Sequence, residues 1–470
     1  MLFSSMSFIF VFLPLVLGAY FLVRRSLRNY VLLASSIIFY AWGEPEYFTV
    51  MIAVAAVNYL AALLMERFAR WRKVLLTGAL GVDLGILIYF KYTGFILENI
   101  NALCRSDIDI LQVAMPIGIS FYIFQAISYL IDVYRKETAA QRDFFKLLLY
   151  VAFFPQMIAG PILKYHDVAE YLECRQESLA KFAYGLKRFI CGLAKKILIA
   201  NVLGEVADRV FEGNGIYYPA WMSWVGVLAY SFQIYYDFSG YSDMAIGLGS
   251  LFGFKFMENF NYPYISGSVT EFWRRWHISL STWFREYLYI PLGGNKVAKW
   301  RHILNLFIVF LATGIWHGAS WNFVLWGVWH GTFLTVEKFF GAGKKELKRW
   351  RKISRYIWCM TVVFFGWIFF RAESIADAGI MVLRMIGLAG ESKILLPWQM
   401  FLSNEELIAF LAAVLCIFPV WGKWMGLSAE EREVPLRRRV MVNAGLLMIF
   451  LLSVVKLSSA TSNPFIYFRF

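Results

Sequence analysis

Long apolar runs alternate with short charged loops along this chain. The runs lie at about residues 6–23, 29–42, 47–65, 74–90 and 112–131, then 219–237 and 242–256, and near 303–317, 320–336, 354–370, 404–421 and 438–457. A helix needs about 20 apolar residues to cross roughly 30 Å of hydrocarbon, so the pattern predicts an all-α membrane chain, some spans being short enough to be tilted or buried. The loops Arg24–Arg28, Glu66–Lys73, Arg135–Lys146 and Gly341–Arg355 are basic, whereas Gly43–Glu46 and Glu98–Asp109 are neutral to acidic. Basic loops stay cytoplasmic, and twelve spans with both termini outside satisfy every loop. The first apolar run precedes its charges, Arg24, Arg25 and Arg28, which predicts a retained helix rather than a cleaved leader.

Two segments read differently. In Leu179–Leu203 an apolar stripe (Leu186, Phe189, Ile190, Leu193, Ile197) runs beside Lys181, Arg188 and Lys195, which predicts an amphipathic helix in the cytoplasmic interface with its cations toward lipid headgroups. In Glu258–Arg301 the residues Trp273, Trp276, Leu280, Trp283, Phe284 and Tyr287 keep helical spacing, and Arg274, Arg275, Arg285 and Lys296 put the segment on the cytoplasmic side. No soluble domain or repeat is evident. The chain reads as one transmembrane domain, 1–470, with an N-terminal helix group (1–135), a re-entrant and interfacial part with two spans (136–302), a helix pair (303–340) and C-terminal helices (341–470).

Composition narrows the classes. Of 470 residues, 60% are hydrophobic and 17% charged, against roughly 45–50% and about 25% in soluble domains. A soluble fold, disorder and a disulfide scaffold are excluded. The net charge of +14 follows from basic cytoplasmic loops and gives no reason to invoke nucleic acid. The five cysteines show no ligand-like or paired spacing, so no metal site is expected.

Polar residues inside spans are costly and therefore informative. Asp83, His317, Asn322 and His330 are of this kind. His317, in Gly314-Ile-Trp-His-Gly318, lies about 15 residues past Arg301, hence some 20 Å along its helix. An imidazole at that depth needs partners, water or a task. His277 sits in Phe272-Trp-Arg-Arg-Trp-His-Ile-Ser-Leu-Ser281, where an interfacial structural role competes with a chemical one. His330 repeats Trp-His-Gly but turns to another helix face. No nucleophile elbow, P-loop or zinc motif is present, which leaves imidazole acting on hydroxyls and activated acyl groups.

The runs Met115–Tyr122, Ile131–Tyr134, Pro155–Pro161, Tyr235–Asp243, Phe272–Gly294, Thr313–Gly331 and Pro464–Phe468 together resemble the membrane-bound O-acyltransferase family. Within it the chain is most similar to the bacterial alginate O-acetyltransferase branch, a relative of the teichoic acid D-alanyl transferases. The resemblance implies a ring of about 10–13 transmembrane helices, with in-plane cytoplasmic helices, around a tunnel. It assigns His317 as the catalytic histidine and His277 as the second active-site histidine. Trp316, Asn322, Trp273, Trp276, Arg274, Arg275, Arg285, Asp237, Ser239, Asp243 and His330 are then the candidates for lining the tunnel or touching substrate.

The implied reaction is O-acetylation of an extracytoplasmic polysaccharide, an alginate-like or other exopolysaccharide or a cell-wall glycan, by a protein of the bacterial cytoplasmic membrane. Acetyl-CoA is the expected donor substrate, its phosphates facing Arg274, Arg275, Arg285 and Lys296. No bound cofactor is expected; membrane lipids and an extracytoplasmic SGNH-type acyltransferase are the expected partners. His317 would take the acceptor hydroxyl's proton and His277 would orient or polarise the carbonyl; direct acyl transfer to His317 is a second mechanism. D-alanyl transfer from a carrier protein, and a non-enzymatic transport or export role, are the alternatives.

The topology is directly testable. In a cysteine-free background, Asn101→Cys should react with an impermeant maleimide in sealed cells and Lys348→Cys should not; the reverse pattern would refute the assigned sides.

Overall fold

A backbone held away from water must pair its N–H and C=O groups within the chain. The computed structural model does this with helices, and no strand occurs among the residues it describes: 1–111, 113–212, 219–340, 349–388, 401–425, 435–459 and Ile466. The basic run Lys344–Lys348 and most of the Pro464–Phe468 motif lie outside them. The chain divides into two compact units.

One unit comprises Met1–Phe189 and Met244–Met257. Its helices are α1 (Leu13–Leu22, preceded by a π turn at Phe8–Phe12), α2 (Arg28–Ala41), α3 (Phe48–Arg67), α4 (Arg72–Cys104), α5 (Ile119–Arg135), α6 (Phe144–Ala152) and α7 (Tyr165–Glu173). Helices α3, α4 and α5 pack on one another. The intramembrane Asp83 of α4 is fully buried there, accepting a 2.9 Å hydrogen bond at Oδ1 from Asn58 Nδ2 of α3.

The boundary between the units falls inside two helices, α8 (Leu179–Ala194) and, after α9 (Asn201–Phe211), α10 (Ala220–Leu251). The second unit, Ile190–Asp243 with Glu258–Phe470, continues through α11 (Val269–Arg275), α12 (Ile278–Phe284), α13 (Lys299–His317), α14 (Trp321–Phe340), α15 (Arg349–Arg371), α16 (Ile375–Met385), α17 (Asn404–Cys416), α18 (Val420–Trp424) and α19 (Leu436–Ser459). Among the described residues, Phe48–Arg67, Ala69–Cys104, Arg349–Arg371 and Leu436–Ser459 are long and apolar enough to cross a membrane, and Phe8–Leu22 is apolar but shorter.

Three sequence readings need correction. The runs 219–237 and 242–256 form one helix, α10, so the count of twelve spans and the parity that put both termini outside do not stand, and the sides of positions 101 and 348 rest on the loop charges alone. The residues around their junction form a packing face: Lys196 meets Asp237, Lys195 meets Asp243, and Gly240 lies so close to Gly192 that a Cβ would stand 2.7 Å from its carbonyl oxygen. The cations of α8 and the π turn after it do not all face headgroups, because Arg188 is buried with its guanidinium donating to Tyr184 Oη at 3.0 Å and Lys195 is spent on Asp243. The helical spacing across Trp273–Tyr287 is interrupted between α11 and α12, at Trp276 and His277.

The hairpin of α13 and α14 delivers His317 to its place. A Cβ on Gly314 would overlap the Phe323 carbonyl oxygen, and one on Gly327 would stand 2.5 Å from that of Phe310. Only hydrogen fits between these backbones. Gly327→Leu should therefore cost at least ~1–3 kcal/mol of overpacking and remove the monodisperse peak in fluorescence-detected size exclusion. Gly18→Leu, with nothing within 4 Å of the new Cβ, should leave that peak intact.

Candidate active site

Helix α11 is anchored at its start from two sides. Ser268 Oγ accepts from the Glu271 N–H at 3.1 Å, and Glu337 of α14 accepts from the N–H groups of Val269 and Thr270 at 2.7 and 3.2 Å. The chain then turns sharply. Trp276 is extended and His277 adopts the left-handed conformation, φ 45° and ψ 55°, before α12 begins. A non-glycine residue held there costs about 1–3 kcal/mol and persists only where its surroundings enforce it.

Asn259 supplies that enforcement. Its carbonyl accepts from the Ile278 N–H at 2.9 Å, while its side-chain Oδ1 accepts from the Ser279 N–H at 3.2 Å and Ser279 Oγ at 2.9 Å and lies 3.2 Å from His277 Nδ1. A backbone N–H only donates, so the side-chain atom it meets is the amide oxygen, and the His277 proton resides on Nδ1. Nε2 is left as the ring's basic nitrogen. The residue is 1% exposed, and burial pushes its pKa down to about 3, so the ring is neutral at physiological pH.

His317 closes α13 from the other direction. Its ring stands edge-on to Trp326 and Phe370, each 5.1 Å away, and Trp316 lies 5.1 Å from His317 and 6.1 Å from His277. The two histidines share one cavity of about 420 Å³. Trp273, Phe284 and Phe310 give it apolar wall, Arg274, Arg285 and Lys338 give it charge, and no carboxylate is among its lining residues. Such a cavity favours an anionic ligand. His317 also lines a second cavity of about 10 Å³, whose other lining residues are isoleucines and aromatics including Trp276.

The remaining residues singled out from the sequence do not line the larger cavity. Arg275 is held by Glu271 at 2.8 Å and by the Asn261 carbonyl at 3.0 Å. Asn322 donates to the Ala372 carbonyl at 2.6 Å, tying α14 to the end of α15. Asp237 and Asp243 are paired with Lys196 and Lys195, and Ser239 is buried on the same helix. His330 is fully buried behind the site, its ring 4.9 Å from Trp273 and 5.0 Å from Trp326, with Gly366 against Nε2.

Sequence reading missed Asn259, Glu337 and Lys338. The first sits in Asn259-Phe-Asn-Tyr-Pro263, a run of turn-forming residues whose side chains commonly cap local backbone, which is the one signal that pointed to it. Glu337 and Lys338 end an apolar helix and carry no motif.

Comparison with known proteins bears on this geometry. Residues 134–376 match the model of MBOAT, the membrane-bound O-acyltransferase family. The chain is 41% identical, over 100% of both chains, to a probable alginate O-acetylase of Pseudomonas putida. It is 35% identical to a peptidoglycan O-acetyltransferase of Helicobacter pylori, over 83% of this chain and 81% of that one. A teichoic acid D-alanyltransferase of Bacillus subtilis is 27% identical over 65% of this chain and 84% of its own.

The buried neutral imidazole predicts a pH dependence of stability. The unfolded chain takes up the His277 proton near pH 6.5, but the folded protein does so only near 3. The ring's contribution is therefore complete above about pH 6.5 and falls as the pH drops toward 3, with a limiting slope of roughly 1.4 kcal/mol per pH unit. Thermal melts of His277→Asn, a residue that tolerates the left-handed backbone, should show a flatter decline between about pH 7 and about pH 4. An unchanged decline would mean that His277 is not the group responsible.

Proposed function

The chain belongs to the membrane-bound O-acyltransferase family, and on that footing we propose that it moves an acetyl group from cytoplasmic acetyl-CoA across the bacterial cytoplasmic membrane for O-acetylation of an extracytoplasmic polysaccharide, through an SGNH-type partner acyltransferase. The protein is a multi-pass membrane acyltransferase. The observation that carries the finer reading is one cavity containing both His277 and His317 together with Arg274, Arg285 and Lys338. The greater likeness to the two O-acetylating relatives than to the D-alanyltransferase supports acetyl as the group carried.

The chemistry follows from the residues. The phosphates of CoA meet Arg274, Arg285 and Lys338 as charge-assisted contacts, and the thioester reaches inward along the aromatic wall. The acceptor hydroxyl attacks the thioester carbonyl while His317 takes its proton. Collapse of the tetrahedral intermediate expels the thiolate, which recovers that proton from the imidazolium and leaves as the free thiol. His277, its ring held by Asn259 at the wall of the same cavity, supports a role in orienting the reacting groups. The apolar walls keep water from competing for the thioester.

Purified protein with acetyl-CoA and an acceptor tests this. His317→Ala should lower turnover by ~10²–10⁴-fold while the protein stays monodisperse. Lys338→Ala and Arg274→Ala should each raise the KM for acetyl-CoA roughly tenfold with kcat little changed, whereas Arg275→Ala should not. In vesicles, label should reach an external acceptor only from internal acetyl-CoA. Transfer from a charged carrier protein but none from acetyl-CoA would assign the chain to D-alanylation instead.

A further inference from the structure

The smaller cavity beside His317 has no part in the steps above. Apart from that histidine its lining residues are aliphatic and aromatic: Ile234, Phe238 and Ile466 with Trp326, Trp367 and Phe370 among them. At about 10 Å³ it has room for one water-sized group. The aromatic walls are interlocked, with Trp326 to Phe370 at 5.4 Å and Trp367 to Phe370 at 5.7 Å, so none can shorten without loosening the others. Ile466 is different. It comes from a distant part of the sequence, is 5% exposed, and has a dedicated anchor.

That anchor is a buried charge pair. Ile466 N–H donates to Asp237 Oδ2 at 2.8 Å, and Asp237 Oδ1 meets Lys196 Nζ at 2.5 Å. The side chains of Lys196 and Asp237 are 4% and 2% exposed. A buried ion pair gains little net stability unless its remaining lone pairs are also satisfied. Here the backbone N–H of Ile466 satisfies one of them, so the pair fixes the position of that residue as well as its own.

The place of this cavity suggests its use. With the CoA portion in the basic cavity and the thioester carbonyl at His317, the acyl tail points away from the sulfur, and the small cavity that His317 also lines is the adjoining space. It accepts a methyl group and little more. We propose that Ile466 is a specificity-determining residue that limits the transferred acyl group to two carbons, and that Asp237, paired with Lys196, is the positioning residue that holds it there. This inference rests on the acyl-transfer reading above.

The test compares acetyl-, propionyl- and butyryl-CoA as donors to the full-length protein, each variant referred to its own acetyl activity so that a general loss of folded enzyme cancels. One methylene in an apolar pocket changes kcat/KM by roughly 10–200-fold, so Ile466→Ala should raise the propionyl-to-acetyl ratio at least about tenfold over wild type. Ile466→Val should give a smaller rise and keeps the test available should the alanine variant fold poorly. Ile466→Pro, which deletes the donated N–H, should relax the preference in the same direction. Asp237→Asn, which keeps an acceptor oxygen, should relax it less. Unchanged ratios in Ile466→Ala and Ile466→Val, with wild type active on acetyl-CoA, would overturn the proposal. No wild-type transfer from any of the three thioesters would overturn the underlying reading instead.

Discussion

The amide oxygen of Asn259 takes its hydrogen bonds from the Ser279 backbone, the Ser279 hydroxyl and the His277 ring in a place where water does not compete. Each donor left unsatisfied there would cost about 1–3 kcal/mol. That single group therefore sets several properties at once. It holds the break between α11 and α12, keeps His277 in a strained backbone conformation, and decides which ring nitrogen bears the proton. The neutral, oriented imidazole is thus a consequence of a loop residue that carries no chemistry of its own.

Close backbone approach completes the arrangement in the second unit. Gly314 and Gly327 let α13 and α14 come together where any larger residue would clash, and the hairpin so formed brings His317 to the cavity that His277 borders. Behind the site, charges perform the work that small residues do in the hairpin. Lys196–Asp237 and Lys195–Asp243 tie α10 to the segment that follows α8. Such pairs add position more than stability, because the cost of desolvating two ions offsets most of their attraction.

The features most legible in the sequence were those with long periodicity or unusual residue types. Apolar runs announced the all-α architecture, and histidines in aromatic sequence pointed to the cavity that His277 and His317 line. The less legible features depend on contacts between distant positions. The sequence breaks one helix into the runs 219–237 and 242–256 because the ionic partners of Asp237 and Asp243 lie some forty residues upstream, at Lys196 and Lys195. The kink at Trp276 and His277 is invisible to helical spacing, since the residues on either side keep their apolar character and only Asn259 dictates the turn. Arg274 and Arg275 look equivalent as letters, yet Glu271 captures the second and leaves the first at the cavity.

The left-handed backbone at His277 also bears on how this enzyme's relatives can change. Few side chains accept that conformation, and among those that do, Asn and Asp are each one nucleotide from His in the genetic code. A lineage that abandons the chemistry while keeping the turn has an easy route through either residue, whereas Val or Ile at the same codon would distort the loop before any question of catalysis arose. Asn at this position keeps the turn without the imidazole, whereas alanine removes the ring and also suits the backbone poorly, so alanine scanning here would confound the two effects.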